Sequence, residues 1–372
     1  IKDFSKNFYE TLYNYDKYNH RHSPVYLIFL SFLKKAGISF EFIRFIHLNI
    51  SILLIYFFFK CLSLKFSNIE KSILLIFSFS IFLSPTFRSL AIWPSSRLIG
   101  LLFFTISILE FLKYIKFKKK IHIWKNTFFL ILSSYLSPNF SLFIFFFGYH
   151  YFKEFDFKNL ITLCVFCLIS SFPAFYYLFI LDVNFLMVNT PGAISGENVS
   201  LSFNFSNKIL IICSIILFHF IPFLINKNFF EDIFKTLNTN LLIIGLFFVF
   251  LVYFFDYQQN FTGGGIFFQI SNIFFKNNIL FYIISFLSFI LIFFLTKKNF
   301  ENILIFFLLI VSNIQNTIYH KYYDPLLMIL FFTLISNPYS LKFFKKKENL
   351  LLIYSFYVIY IFSRIFKNIL IT

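Results

Sequence analysis

The stretch "ILLIFSFSIFLSPTFRSLAIWPSSRLIGLLFFTISILEFL", Ile73 to Leu112, decides how this chain is built. Two apolar runs flank a turn that holds two prolines, two arginines and a tryptophan. Neither run alternates apolar with polar residues, as a half-buried strand does. A helix crosses the hydrocarbon core with about 20 apolar residues. The turn between the runs carries the residue types that settle at a lipid–water boundary.

The rest of the chain repeats this pattern. Of 372 residues, 59% are hydrophobic and 13% charged, with mean hydropathy +0.79. A soluble domain is about 45–50% apolar and about 25% charged. Only helices and closed barrels satisfy their backbone polar groups in lipid, and the runs here are long and unalternating. We therefore expect an all-α, polytopic transmembrane bundle of about 10–12 spans. The 67 phenylalanines, with abundant Ile, Asn and Lys, match AT-rich codon usage, so an aromatic run is weak evidence for a cofactor or nucleic-acid site. The net charge of +17 is explained by Lys and Arg gathering in cytoplasmic loops, so the expected partners are membrane lipids and not nucleic acid. Four cysteines make no disulfide framework, and the C-x-x-C of Cys164 and Cys167 sits in an apolar run, where core thiols are expected.

Spans are expected at 41–60, 71–86, 96–115, 159–181, 207–226, 238–255, 278–296, 301–318, 323–338 and 349–364. Segment 126–152 reads as one long span or as a hairpin broken at "LSPN", and 24–33 is too short to cross. Six lysines between Lys113 and Lys125, four between Leu341 and Lys347, and the turns 60–71 and 296–298 mark the cytoplasmic side. Parity then requires the hairpin. It places 1–23, 86–97, 138–139, 182–206, 256–276 and 319–325 outside, as in a multi-pass protein of a bacterial plasma membrane with its active face outward. We expect one integrated membrane domain, with an N-terminal module over 1–155 and further transmembrane helices over 156–372. The chain opens on Ile1 and no apolar run precedes the polar stretch 1–23, which suggests a further span ahead of it.

The outer loops hold the unusual residues. Guanidinium groups grip phosphate in a bidentate fork, so Arg21, Arg88 and Arg97 are candidates for a lipid-linked phosphate; snorkelling to ordinary headgroups is the alternative. His20 and His22 flank Arg21 and suit phosphate contact or proton transfer. Without a carboxylate cluster they do not make a metal site. Asp3 and Asp16 are acids of the first outer loop, where a carboxylate base for a hydroxyl acceptor is needed. Trp93, the glycines Gly263, Gly264 and Gly265, and Lys321 with Asp324 are candidate substrate-loop residues. "TGGGIF" ends without the Gly-Lys-Ser/Thr of a phosphate loop, so backbone mobility, close approach or a simple turn are its readings.

The stretches "HRHSPVYLIFLSFLKKAG", "EFIRFIHLNISILLIYFFFKCL" and the Ile73–Leu112 segment together resemble the N-terminal module of GT-C membrane glycosyltransferases. That group includes protein O-mannosyltransferases, aminoarabinose transferases of lipid A and GPI mannosyltransferases. The resemblance lies in "HSPVY" closing the first outer loop and in "SPTFRS" at the outer end of a later span, and it covers about residues 1–150. It implies a GT-C fold and a sugar moved with inversion from a polyprenyl-phosphate donor to a glycan, lipid or protein acceptor. The family's acidic pair is absent, and Asp3 stands at about its distance before "HSP". The resemblance leaves a divalent metal open, and no ligand cluster in the sequence decides it.

Two other functions use the same outer features. A polysaccharide polymerase or ligase carries one very large outer loop, whereas the longest here runs 182–206. A lipid-linked sugar flippase or other transporter shows mid-membrane charges and repeat symmetry, and this chain has few of the former and no internal repeat.

Overall fold

A computed structural model describes the chain except for residues 20–21, 187, 189, 192–197, 200–201, 225–226, 259–262, 298, 314 and 372. The secondary structure of the described residues is helical apart from two strands of two residues each, Thr190–Pro191 and Asn198–Val199. Two compact units emerge, one of residues 1–67 and 88–191, the other of 68–87 and 192–372.

The first unit opens with α1 (Lys2–Lys6), α2 (Phe8–Tyr13) and a 3-10 turn at Tyr15–Tyr18. Helix α3 (Pro24–Lys35) starts on Ser23, whose hydroxyl caps it, with Pro24 at its first position. Helix α4 (Phe40–Lys65) follows. After α5 (Lys71–Phe79) and α6 (Pro85–Ile92), the first unit resumes with α7 (Ser96–Phe117), α8 (Ile121–Leu136), α9 (Ile144–Glu154) and α10 (Phe157–Phe175), which runs on through a π turn to Ile180.

Helix α7 is the axis of this unit. Small and polar residues let its neighbours approach, as they do where helices associate in lipid. A Cβ on Gly100 would stand 3.0 Å from that of Ser137. The Ser133 hydroxyl donates to the Gly100 carbonyl at 2.7 Å. The buried Asn126 amide donates to Ser107 O and Oγ, both at 2.8 Å, and accepts from the Tyr151 hydroxyl at 2.7 Å.

That last bond settles segment 126–152. In a straight helix, 25 residues would separate these groups by about 37 Å. The chain instead doubles back at Ser137, held extended (φ −144°, ψ 96°) before Pro138. The segment folds back on itself, although neither α8 nor α9 is among the helices long and apolar enough to cross a membrane.

In the second unit, α11 (Phe205–Leu224) is buried along most of its length. Around it lie α12 (Lys227–Tyr253), α13 (Gly265–Phe275), α14 (Ile279–Thr296), α15 (Phe300–Val311), α16 (Leu326–Thr333), α17 (Pro338–Phe344) and α18 (Lys347–Ile371). Ring pairs such as Phe220–Phe331, with centroids 4.3 Å apart, and Phe77–Phe332, at 4.4 Å, fill the space between them. Asn302 stitches α15 to the end of α16, donating to Leu295 O and Ser336 O and accepting from Ser336 N.

Among the described residues, six helices are long and apolar enough to cross a membrane: Phe40–Lys65, Ser96–Phe117, Phe157–Ile180, Phe205–Leu224, Ile279–Thr296 and Lys347–Ile365. A seventh span exists if Lys71–Leu83 and Pro85–Ile92 count as one, although they bend by 78° at Ser84 before Pro85. This corrects the expectation of about 10–12 spans. Expected span 301–318 ends as helix at Val311, where Ser312 and Asn313 follow. Expected span 323–338 is helical only over Leu326–Thr333. Expected loop 256–276 carries helix α13, because an apolar run follows its glycine turn. The expected core thiols are also corrected: Cys164 is exposed and Cys167 half-buried, since α10 turns nearly all of its apolar surface outward. Leu168 and Ile169 on α10, and Leu242 and Leu246 on α12, are likewise about two-thirds exposed or more. Such a surface and six apolar helices are consistent with a multi-pass membrane protein.

Asn126→Leu should destabilise the first unit by about 1–3 kcal/mol, because it strips partners from Tyr151 and Ser107. Ser134→Ala, which removes only a bond to its own helix at Leu130, should be near neutral. Reversible unfolding in mixed micelles measures both.

Candidate functional site

A cavity of about 880 Å³ opens in the first unit. Its floor is apolar, from Tyr26, Leu27 and Leu30 on α3 to Ile43 on α4. Its polar groups come from α1 (Lys2, Asp3), from His22 and Ser23 before α3, from Lys34 at the end of α3, and from Ser95 and Ser96 at the start of α7.

Local chemistry explains how these elements converge. Phe4 and Tyr15 are buried with Val183 and Phe185, which anchors the short N-terminal helices. The Tyr15 hydroxyl donates to the His22 carbonyl at 2.9 Å, fixing the chain just before Pro24. Burial pushes the Tyr15 phenol up to about 12, so it stays a neutral donor.

On the opposite wall, His47 of α4 organises residues 90–95. Its Nε2 lies 2.9 Å from Leu90 O and 3.3 Å from Ser95 N, and its Nδ1 lies 3.2 Å from the Tyr26 hydroxyl. The shorter contact assigns Nε2–H as donor to Leu90, leaving Nδ1 to accept from Tyr26. Arg44, one turn earlier, stacks its guanidinium 4.6 Å over the Trp93 ring and donates to Ile92 O.

Of the residues singled out in the sequence, Asp3 and His22 meet in this cavity, and both are exposed. Arg97 is half-buried as the second residue of α7, next to the cavity-lining Ser96. Trp93 is exposed in the adjoining turn, and Arg88 is exposed on α6. Asp16 sits in the 3-10 turn and does not line the cavity. His20 and Arg21 lie outside the described residues.

The remaining candidates belong to the second unit. Gly263, Gly264 and Gly265 all take positive φ at the start of α13. A Cβ on Gly263 would come within 2.6 Å of Ile318 O, and Gly264 N donates to that same oxygen at 2.9 Å. The glycines thus serve close backbone approach. Lys321 is exposed against the Tyr319 ring, at 4.6 Å. Asp324 is buried and accepts from the Ser84 hydroxyl at 2.6 Å.

Tyr26 is the aromatic of "HSPVY", whereas His47 does not stand out among the polar residues of the chain. A histidine within the apolar run "FIRFIHLNIS", three residues after an arginine, was the available signal.

The all-helical fold and its six long apolar helices are consistent with the class of multi-pass membrane proteins. No family model, curated protein or solved structure matches the chain.

His47→Leu removes the tie from Nε2–H to Leu90 O. Amides of residues 90–97 should then exchange at least several-fold faster, while amides of α8 keep their protection. Hydrogen exchange read by mass spectrometry in detergent checks this.

Proposed function

We propose that the chain is an integral membrane glycosyltransferase. It moves a sugar from a polyprenyl-phosphate donor to a glycan, lipid or protein acceptor on the outer face of the membrane. One observation carries the reading: a single large cavity joins an acid, Asp3, to cationic or ionisable groups, His22 and Lys34, above an apolar floor. The start of α7 lines the same cavity with Ser95 and Ser96, and a helix N-terminus favours an anion.

A second cavity of about 570 Å³, walled mainly by α3, α8 and α10, shares Ser23 with the first. Its apolar lining, including Val25, Ile28, Leu130 and Ile131, suits an isoprenoid tail.

In this mechanism Asp3 takes the proton of the acceptor hydroxyl. The acceptor oxygen attacks the anomeric carbon, the bond from that carbon to the phosphate oxygen breaks, and polyprenyl phosphate departs. Charge grows on the phosphate as it leaves, and His22, Lys34 and Arg97 stabilise it. Trp93, stacked under Arg44, borders the acceptor side.

Membranes carrying the chain should release label from a radiolabelled polyprenyl-phosphate sugar. Asp3→Asn should slow release about 10²–10⁴-fold, the range for loss of a general base. Arg97→Ala should slow it about 10²–10³-fold, with Arg88→Ala alongside for comparison. If label stays on the lipid and instead crosses between leaflets, transfer is wrong and the chain is a flippase.

A further inference from the structure

The second unit buries a polar cluster that the transfer mechanism leaves unused. His219 lies on α11, His320 opens the 3-10 turn His320–Tyr322, and Asp324 closes the same segment before α16. His219 is 8% exposed and Asp324 1%. One nitrogen of each imidazole and one oxygen of the carboxylate lie within 4.8 Å of one another.

Protein groups alone leave this cluster poorly satisfied. The two Nε2 atoms stand 3.2 Å apart and can share one proton. Asp324 Oδ2 accepts from Ser84, whose hydroxyl oxygen also accepts from Phe87 N at 3.0 Å. Asp324 Oδ1 has no hydrogen-bond partner of good geometry, with the Thr86 hydroxyl near the carboxylate; Nδ1 of either histidine also has none, and an ion on the Nε2 pair leaves those two atoms as they are. A buried polar atom without a partner costs about 1–3 kcal/mol, and native proteins keep few of them.

We propose that His219, His320 and Asp324 form a binding site for one zinc ion, with a fourth coordination position left open. The spacing fits. Ligand nitrogens at about 2.0–2.1 Å from a tetrahedral zinc stand about 3.3 Å apart along the tetrahedron's edge. The Nε2 pair is at 3.2 Å. Two imidazoles and one carboxylate suit a borderline divalent transition ion; magnesium and calcium take oxygen shells. Ser84 holds the second carboxylate oxygen, which orients Oδ1 as an outer-shell partner does in zinc sites. Arg364 of α18 bears electrostatically on His320 and opposes a cation there, which the Asp324 carboxylate must offset. The ion would clamp α11 to segment 320–324, joining residues 101 positions apart in sequence. The site stands independently of the glycosyltransferase reading.

The test uses the full chain, purified in detergent with a histidine-free tag and stripped with a chelator. Zinc is titrated against a chromophoric competitor, cobalt serves as the spectroscopic probe, and Tm is followed throughout. The expected result is one equivalent of zinc, a raised Tm and the visible bands of tetrahedral cobalt. His219→Ala, His320→Ala and Asp324→Asn should each abolish the tight equivalent. Ser84→Ala should weaken it about 10–100-fold, and His122→Gln should leave it unchanged. The stripped native chain gives the result even where a variant fails to fold. No tight equivalent in that chain, or one that survives Asp324→Asn, overturns the proposal and leaves a hydrogen-bonded histidine pair.

Discussion

In hydrocarbon a backbone N–H or C=O has no water to turn to, and everything in this chain answers to that. Each crossing segment must be a helix, and each break must put its freed groups somewhere. The breaks fall where a serine precedes a proline, at Ser84–Pro85 and Ser137–Pro138. In both places the serine is extended, as the proline ring requires of its neighbour. Ser84 then spends its hydroxyl on Phe87 N and Asp324, so the break and the buried carboxylate are solved together.

The same constraint decides what joins the helices. Lipid tails are as apolar as leucine, so burying leucine adds little between helices. Close approach and polar contacts do the joining. Gly100, Ser133 and Asn126 work this way between α7 and α8, as do Ser285 and the Ser288–Cys213 bond between α14 and α11. The phenylalanine excess fills the remaining space in the second unit, where tilted rings pack around Phe223 and Phe332.

The proposed functional groups follow from what the short elements do near the spans. The N-terminal helices are too short to stand alone, and burying Phe4 and Tyr15 holds them in place. This brings Asp3 over the cavity that also contains His22 and Lys34. The opposite wall depends on one histidine in α4 that fastens Leu90 to Tyr26.

Much of this was legible in the residues alone. Mean hydropathy, long unalternating runs and lysine-rich turns determine a helical membrane protein, because lipid leaves no other fold for such runs. "LSPN" marked the point where the chain folds back between α8 and α9. Helix lengths after residue 300 were not legible, because an apolar run states its affinity for a dry place but not whether that place is lipid or protein core. The eight residues of α16 are as apolar as any span, yet every one is buried inside the second unit. The meeting of His219, His320 and Asp324 was likewise invisible, since helix packing alone joins positions 219 and 320. Sequence determined the solvent this chain lives in; tertiary structure decided which polar groups found each other there, because those contacts run between segments whose separation along the chain carries no periodic signal.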